Sequence, residues 1–146
     1  MIIALAAAAL LGTAEELAAE GAAAYPDAPT IQVEQVMQRS DVLLLDARNT
    51  DEMAVSMIAG ARPADALPDQ IGNRVVVVYC TIGVRSGALT SALRKRGIDA
   101  YNLYGGVLLW AAYGGIFVDR AGQPTRKVHV YGKRWSRLPE HFEPVY

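Results

Sequence analysis

The sequence predicts an α/β fold with a central, mostly parallel, five-stranded sheet and helices on both faces. Three observations carry this expectation. Val75-Val76-Val77-Val78 is an unbroken valine run, which reads as a central strand buried on both sides. Val42-Leu43-Leu44-Leu45 is a second run of the same kind. Strand-like and helix-like segments alternate along the chain, as they must where parallel strands are joined by crossover helices.

Composition narrows the class. The chain has 146 residues, 52% of them apolar and 20% charged, enough for one domain with a real core. A formal net charge of -1 gives no global attraction to nucleic acid or to an anionic membrane. A single cysteine excludes an internal disulfide and a cysteine-based zinc cluster. His129 and His141 are poorly accompanied by other ligand types, so no metal site is expected.

Each element follows from local signals. Residues 1–20 open with the apolar run Met1 to Leu11, followed by Gly12-Thr13-Ala14. The run resembles a signal peptide without its basic start, and equally an alanine-rich helix to about Ala19; it is too short to span a bilayer. Export and retention in the cytoplasm both remain open. Residues 21–30 are rich in Ala, Gly and Pro and read as a linker. The domain proper is expected over 31–118.

Within it, Val33 to Gln38 reads as a short helix and Val42 to Leu45 as a strand. Thr50 is the expected N-cap of a helix to about Ser56, with Asp51 and Glu52 in its favourable first turn. Gly60 to Pro63 is a turn with a brief strand, and Ala64 to Leu67 one helical turn. Arg85 to Arg96 has Leu89, Ala92 and Leu93 on one face and ends at Gly97 as a C′ glycine. Ala100 to Leu103 is a strand, Val107 to Tyr113 a helix, and Ile116 to Val118 an apolar run. Residues 119–146 form an extension whose basic residues alternate with Tyr131, Trp135, Phe142 and Tyr146. Those aromatics are expected to anchor it on the domain, in preference to an RNA-binding role.

The chemistry points to Cys80. It ends the valine strand and precedes Thr81-Ile82-Gly83-Val84-Arg85-Ser86-Gly87. A free thiol is mostly protonated at neutral pH, and only the thiolate is a nucleophile. Loop amides from Thr81 to Arg85, and the positive end of the following helix, are placed to gather negative charge on the sulfur. Gly83 can adopt the dihedrals such a loop needs. Arg85 adds a fixed charge and a forked donor for an oxyanion. A buried cysteine with no chemical role is the plain alternative.

The chain resembles the rhodanese-like single-domain sulfurtransferases. The resemblance rests on Leu43-Leu44-Leu45-Asp46-Ala47-Arg48, Asp51-Glu52-Met53, Ile58-Ala59-Gly60-Ala61, Tyr79 to Gly87, and Tyr101-Asn102-Leu103-Tyr104-Gly105-Gly106-Val107-Leu108-Leu109-Trp110. It covers roughly Ile31 to Val118, in order and with matching spacing. The segment Val128 to Trp135 is similar to an extension carried by some members.

The resemblance implies a thiosulfate, or other sulfane-sulfur, sulfurtransferase. Cys80 would take the sulfur as a persulfide and pass it to cyanide, a thiol or a protein acceptor, with no cofactor. The loop Thr81, Ile82, Gly83, Val84 and Arg85 would hold the persulfide, and Arg85 would steer an anionic donor. Asp46, Arg48 and Ser86 would support the loop. Nucleic acid and membranes are not expected partners. The alternative is a weakly active or non-enzymatic module that presents sulfur to a partner protein.

One position departs from the family pattern: Met57 stands where a histidine is usual, and it cannot exchange a proton. The loop also separates this chain from cysteine phosphatases of related design, which place five residues between Cys and Arg; here there are four. An arsenate reductase is disfavoured because no second thiol can resolve an intermediate.

Overall fold

A computed structural model describes the backbone of residues 2–146 and the side chains of 13–146. In chain order the elements are α1 (Ile2–Ala23), β1 (Thr30–Ile31), α2 (Val33–Met37), β2 (Val42–Asp46), α3 (Thr50–Val55), β3 (Met57–Ile58) and β4 (Arg62–Pro63). A 3-10 turn at Ala64–Ala66 precedes β5 (Val75–Tyr79), α4 (Val84–Lys95), β6 (Ala100–Leu103) and α5 (Gly106–Ala112). β7 (Phe117–Val118) follows, and the extension holds β8 (Pro124–Thr125), β9 (Lys127–His129), a 3-10 turn at Lys133–Trp135 and β10 (Glu143–Val145).

The main sheet has five strands in the order β1-β6-β5-β2-β4, and every neighbouring pair is parallel. The valine strand β5 is central, as its lack of polar alternation requires. Its side chains divide by parity. Val75, Val77 and Tyr79 enter one core with Leu44, Val107, Leu108, Phe117 and Val128. Val76 and Val78 enter the other with Leu43, Leu45, Leu93 and Ala100. Helices α1, α2 and α5 thus cover the first face and α4 the second. Each fully buried aliphatic side chain contributes on the order of 1.5–3 kcal/mol.

Several expectations change. The helix α1 runs to Ala23, with Ala14 and Ala18 buried against the domain. The first three residues of the expected linker are therefore helical, and Thr30 belongs to a sheet edge. The N-cap of α3 is Asn49, not Thr50; its N–H donates to Glu52 Oε2 at 2.8 Å. The run Ile116 to Val118 does not join the main sheet. Phe117–Val118 pairs antiparallel with β3 and β8 in a separate three-stranded sheet. Among the described residues no helix is long and apolar enough to cross a membrane.

Candidate active site

Cys80 directly follows β5, at the carboxyl end of the central strand, and is 1% exposed. Its backbone is fixed by α5. The first N–H groups of that helix have no partner within it. They find partners here, because Val107 N–H donates to the Cys80 carbonyl at 3.0 Å and Leu108 N–H to the Thr81 carbonyl at 3.4 Å. This explains Gly105-Gly106. Gly106 has φ of 48°, and a Cβ on it would fall on the Cys80 carbonyl oxygen. Only glycine lets the helix start approach that closely.

The sulfur has two polar neighbours. Gly83 N–H donates to Cys80 Sγ at 3.2 Å, and Ser86 Oγ lies 3.3 Å from it. Gly83 holds φ of 112°, and its N–H faces the sulfur. Asn102 fixes that turn: its Nδ2 donates to the Gly83 carbonyl at 2.9 Å, while its Oδ1 lies 2.7 Å from Ser86 Oγ. The expected ring of amides is thus one amide among the described residues, plus a hydroxyl. The helix α4 starts at Val84, one residue earlier than expected, so its positive end faces the same loop.

Arg85 is not a free anion-steering cation. Its guanidinium is paired with Glu52 through Nη1 and Nη2, and Nη2 also donates to Thr81 Oγ1 at 3.2 Å. One face of it lies 5.0 Å from the centre of the Tyr131 ring. Burial acts to lower the arginine's pKa, but the Glu52 hydrogen bond and charge hold it above its ordinary value. Burial likewise pushes Glu52 up, yet the donors Arg85 and Asn49 N–H hold its carboxyl below the ordinary glutamate range.

The Glu52 shift has a signed consequence. A depressed folded pKa contributes stability above the unfolded value, about 4.3, and loses it as pH falls through the lower folded value. Thermal melts of wild type and Glu52→Gln should therefore differ most near neutral pH and converge in acid below about pH 4. A constant difference would show that the pair's charge is not responsible.

Asp46 and Arg48 form a fully buried pair, with Arg48 Nη2 donating to Asp46 Oδ2 at 2.7 Å. The pair does not reach the 81–85 loop as expected. It braces the strand end instead: Tyr79 Oη donates to Asp46 Oδ2 at 2.6 Å and Arg48 Nη2 to the Ser56 carbonyl at 2.7 Å. Burial, then the Asp46 charge, pushes the Tyr79 hydroxyl well above its ordinary pKa, so it stays a donor. Met57 lies in β3 opposite Val118 and does not line the cavity at Cys80.

That cavity, about 190 Å³, is lined by Cys80, Thr81, Ile82, Val84, Arg85, Tyr131 and Trp135. Its last two walls come from the extension. A larger open cleft of about 760 Å³ lies beyond Arg85, around Asn49, Asp51 and Asp65, and Cys80 is not part of its lining. Among the described residues no group of His, Cys, Asp and Glu is arranged to hold a metal ion.

The loop after Cys80 is also pressed from the amino-terminal side. A Cβ on Gly21 of α1 would land on the Ile82 carbonyl oxygen and crowd its carbon. Gly21→Ala should lower the unfolding free energy by about 1–3 kcal/mol. It should also slow chemistry at Cys80 out of proportion, since an ångström of misplacement can weaken catalysis about 100-fold. Alkylation and sulfur-loading rates of the variant, measured well below its melting temperature, check this.

Sequence reasoning missed Glu52, Asn102 and Tyr131 as parts of this site. Asn102, an amide in the otherwise apolar strand β6, was the available signal.

The model of the rhodanese-like domain family matches residues 30–113, more than half of the chain. Among curated proteins, the tRNA uridine(34) hydroxylase of Rhodococcus erythropolis is 33% identical over 110 residues, covering 66% of this chain and 37% of that protein. The protein of the same name from Kocuria rhizophila is 31% identical over 119 residues, covering 70% and 39%. The chain spans little more than a third of the length of these relatives. Among solved structures, a thiosulfate sulfurtransferase from Pseudomonas aeruginosa superposes with a TM-score of 0.57 at 25% identity, covering 76% of this chain and 23% of that one. A rhodanese-related protein from Thermoplasma volcanium gives 0.53 at 24% identity, covering 62% and 97%, and shares the fold.

Proposed function

The chain belongs to the rhodanese-like domain family, and from that premise we propose that it is a sulfurtransferase carrying sulfane sulfur as a persulfide on Cys80. The observation that supports this most directly is the position of Sγ. It sits at the end of the central strand, beneath the start of α4, with Gly83 N–H at 3.2 Å and an open cavity beside it. A backbone donor that is already oriented needs little reorganisation as charge gathers on sulfur.

With thiosulfate as donor, the Cys80 thiolate attacks the outer sulfur. A new S–S bond forms as the old one breaks, and sulfite leaves with the electron pair. A nucleophilic acceptor, cyanide or a thiolate, then attacks the outer persulfide sulfur and restores the Cys80 thiolate. No oxidant or reductant is consumed.

Intact-protein mass spectrometry tests the reading. Thiosulfate should add the mass of one sulfur atom at Cys80, and cyanide should remove it as thiocyanate. No adduct in metal-free buffer with any sulfane-sulfur donor would end the proposal.

The names of the curated relatives favour a second reading, a role in tRNA modification. The charge beside Cys80 speaks against a polyanion there, because Arg85, the cation in the cavity wall, is paired with Glu52. Saturable binding of a tRNA at physiological salt would revive that reading.

A further inference from the structure

We propose that Tyr131 and Trp135, supplied by the extension, make the Cys80 cavity selective for organic sulfane-sulfur donors over inorganic thiosulfate. The class is a sulfane sulfur carried on an apolar or aromatic group, with at most one negative charge. The inference rests on the sulfur-transfer reading and goes further by naming the donor.

Charge is the first reason. Arg85 is the cation in the cavity wall, and Glu52, 3% exposed, neutralises it. Both terminal nitrogens are engaged by Glu52 and Thr81, and the Tyr131 ring covers one face. A doubly charged ion would have to shed its water in exchange for donors that already have partners. A singly charged organic donor sheds less.

Shape is the second reason. Apart from Thr81 and Arg85, the way to sulfur is walled by Ile82, Val84, Tyr131 and Trp135. The two aromatic rings stand edge to face, with centroids 5.2 Å apart. Val84 and Tyr131 remain 38% and 54% exposed at the rim, open to an entering group. A flat apolar group entering here would bury surface on both rings, in a way that thiosulfate cannot.

Tyr131 is held for this position. It is the non-glycine residue with positive φ, 69°, among those described, and its N–H donates to His129 Nδ1 at 3.0 Å. Such a backbone is uncommon for a bulky residue. Here it turns the ring toward Arg85.

The chemistry balances. The Cys80 thiolate attacks the outer sulfur of an aryl thiosulfonate, the persulfide bond forms, and the original S–S bond breaks. The sulfinate leaves with the electron pair, so total charge is unchanged.

The test compares benzenethiosulfonate with thiosulfate as donors, reading kcat/KM and the Cys80 adduct. The wild type should favour the aryl donor by about tenfold or more, mainly through KM. Tyr131→Asn, which tolerates the same backbone, and Trp135→Leu should bring the ratio toward one. Tyr131→Phe should keep it. Equal use of both donors, or preference for thiosulfate, overturns the selectivity and leaves sulfur transfer standing. A preference unchanged in both variants overturns the assignment to these residues. Loading by neither donor overturns both proposals.

Should the variants fail to fold, calorimetry on Cys80→Ser decides without chemistry. Benzenesulfinate should bind at least about tenfold more tightly than sulfite, and equal binding refutes the proposal.

Discussion

Serine in place of Cys80 is expected to abolish sulfur loading completely while leaving the fold intact. The replacement keeps the side chain small and polar, and Gly83 N–H, 3.2 Å from the sulfur, retains an acceptor. What disappears is the polarizable nucleophile: a hydroxyl with no base beside it does not attack sulfane sulfur at neutral pH. Loading should drop to background, a loss of at least about 1000-fold. The melting temperature should move by only a few degrees, since the effects of single substitutions centre near about 1 kcal/mol. A serine variant that still gained sulfur from thiosulfate would mean that Cys80 is not the carrier.

The largest effect on stability is expected at Asp46. Removing its carboxylate with Asp46→Ala leaves Arg48 with a fully buried, uncompensated charge and takes the acceptor from Tyr79. Breaking a buried pair from one side costs about 3–5 kcal/mol. In a chain of this size that corresponds to a fall in melting temperature of roughly 10–15 °C. Arg48 gives a further reason to expect the upper end, because its Nη1 is buried without a hydrogen-bond partner even in the intact pair. The double variant Asp46→Leu with Arg48→Met should recover most of the loss, since well-packed apolar residues often replace a buried ion pair at little cost. If the double variant is as unstable as the single, the pair is net stabilising and its desolvation cost has been overstated.

Local chemistry made much of this legible in the sequence. The valine run could only be a doubly buried strand, and it is β5 at the sheet centre. Ala100–Leu103 has the expected bounds, and α2, α4 and α5 lie within one residue of theirs. Cys80, Gly83 and Ser86 come together because they are near neighbours where the loop enters α4. What was hidden depends on pairing across distance. Glu52 meets Arg85 from 33 residues away, and nothing local distinguishes it from an ordinary first-turn glutamate. Asn102 reaches Gly83 from the next strand over. β1 has two residues, too few for any periodicity. Tyr131 and Trp135 read as anchors of the extension; that they wall the cavity at Cys80 follows only from where the chain returns.

The borders of the main sheet carry a consequence for association. On one side the outermost strand is Thr30–Ile31, and on the other it is Arg62–Pro63. Each offers only two residues' length of main chain to a passing strand. On the second, proline lacks an amide hydrogen and arginine brings like charge to any copy of itself. A protein with so apolar a central strand would otherwise invite strand-by-strand polymerisation. Its flanks are too short and too poorly matched to start it.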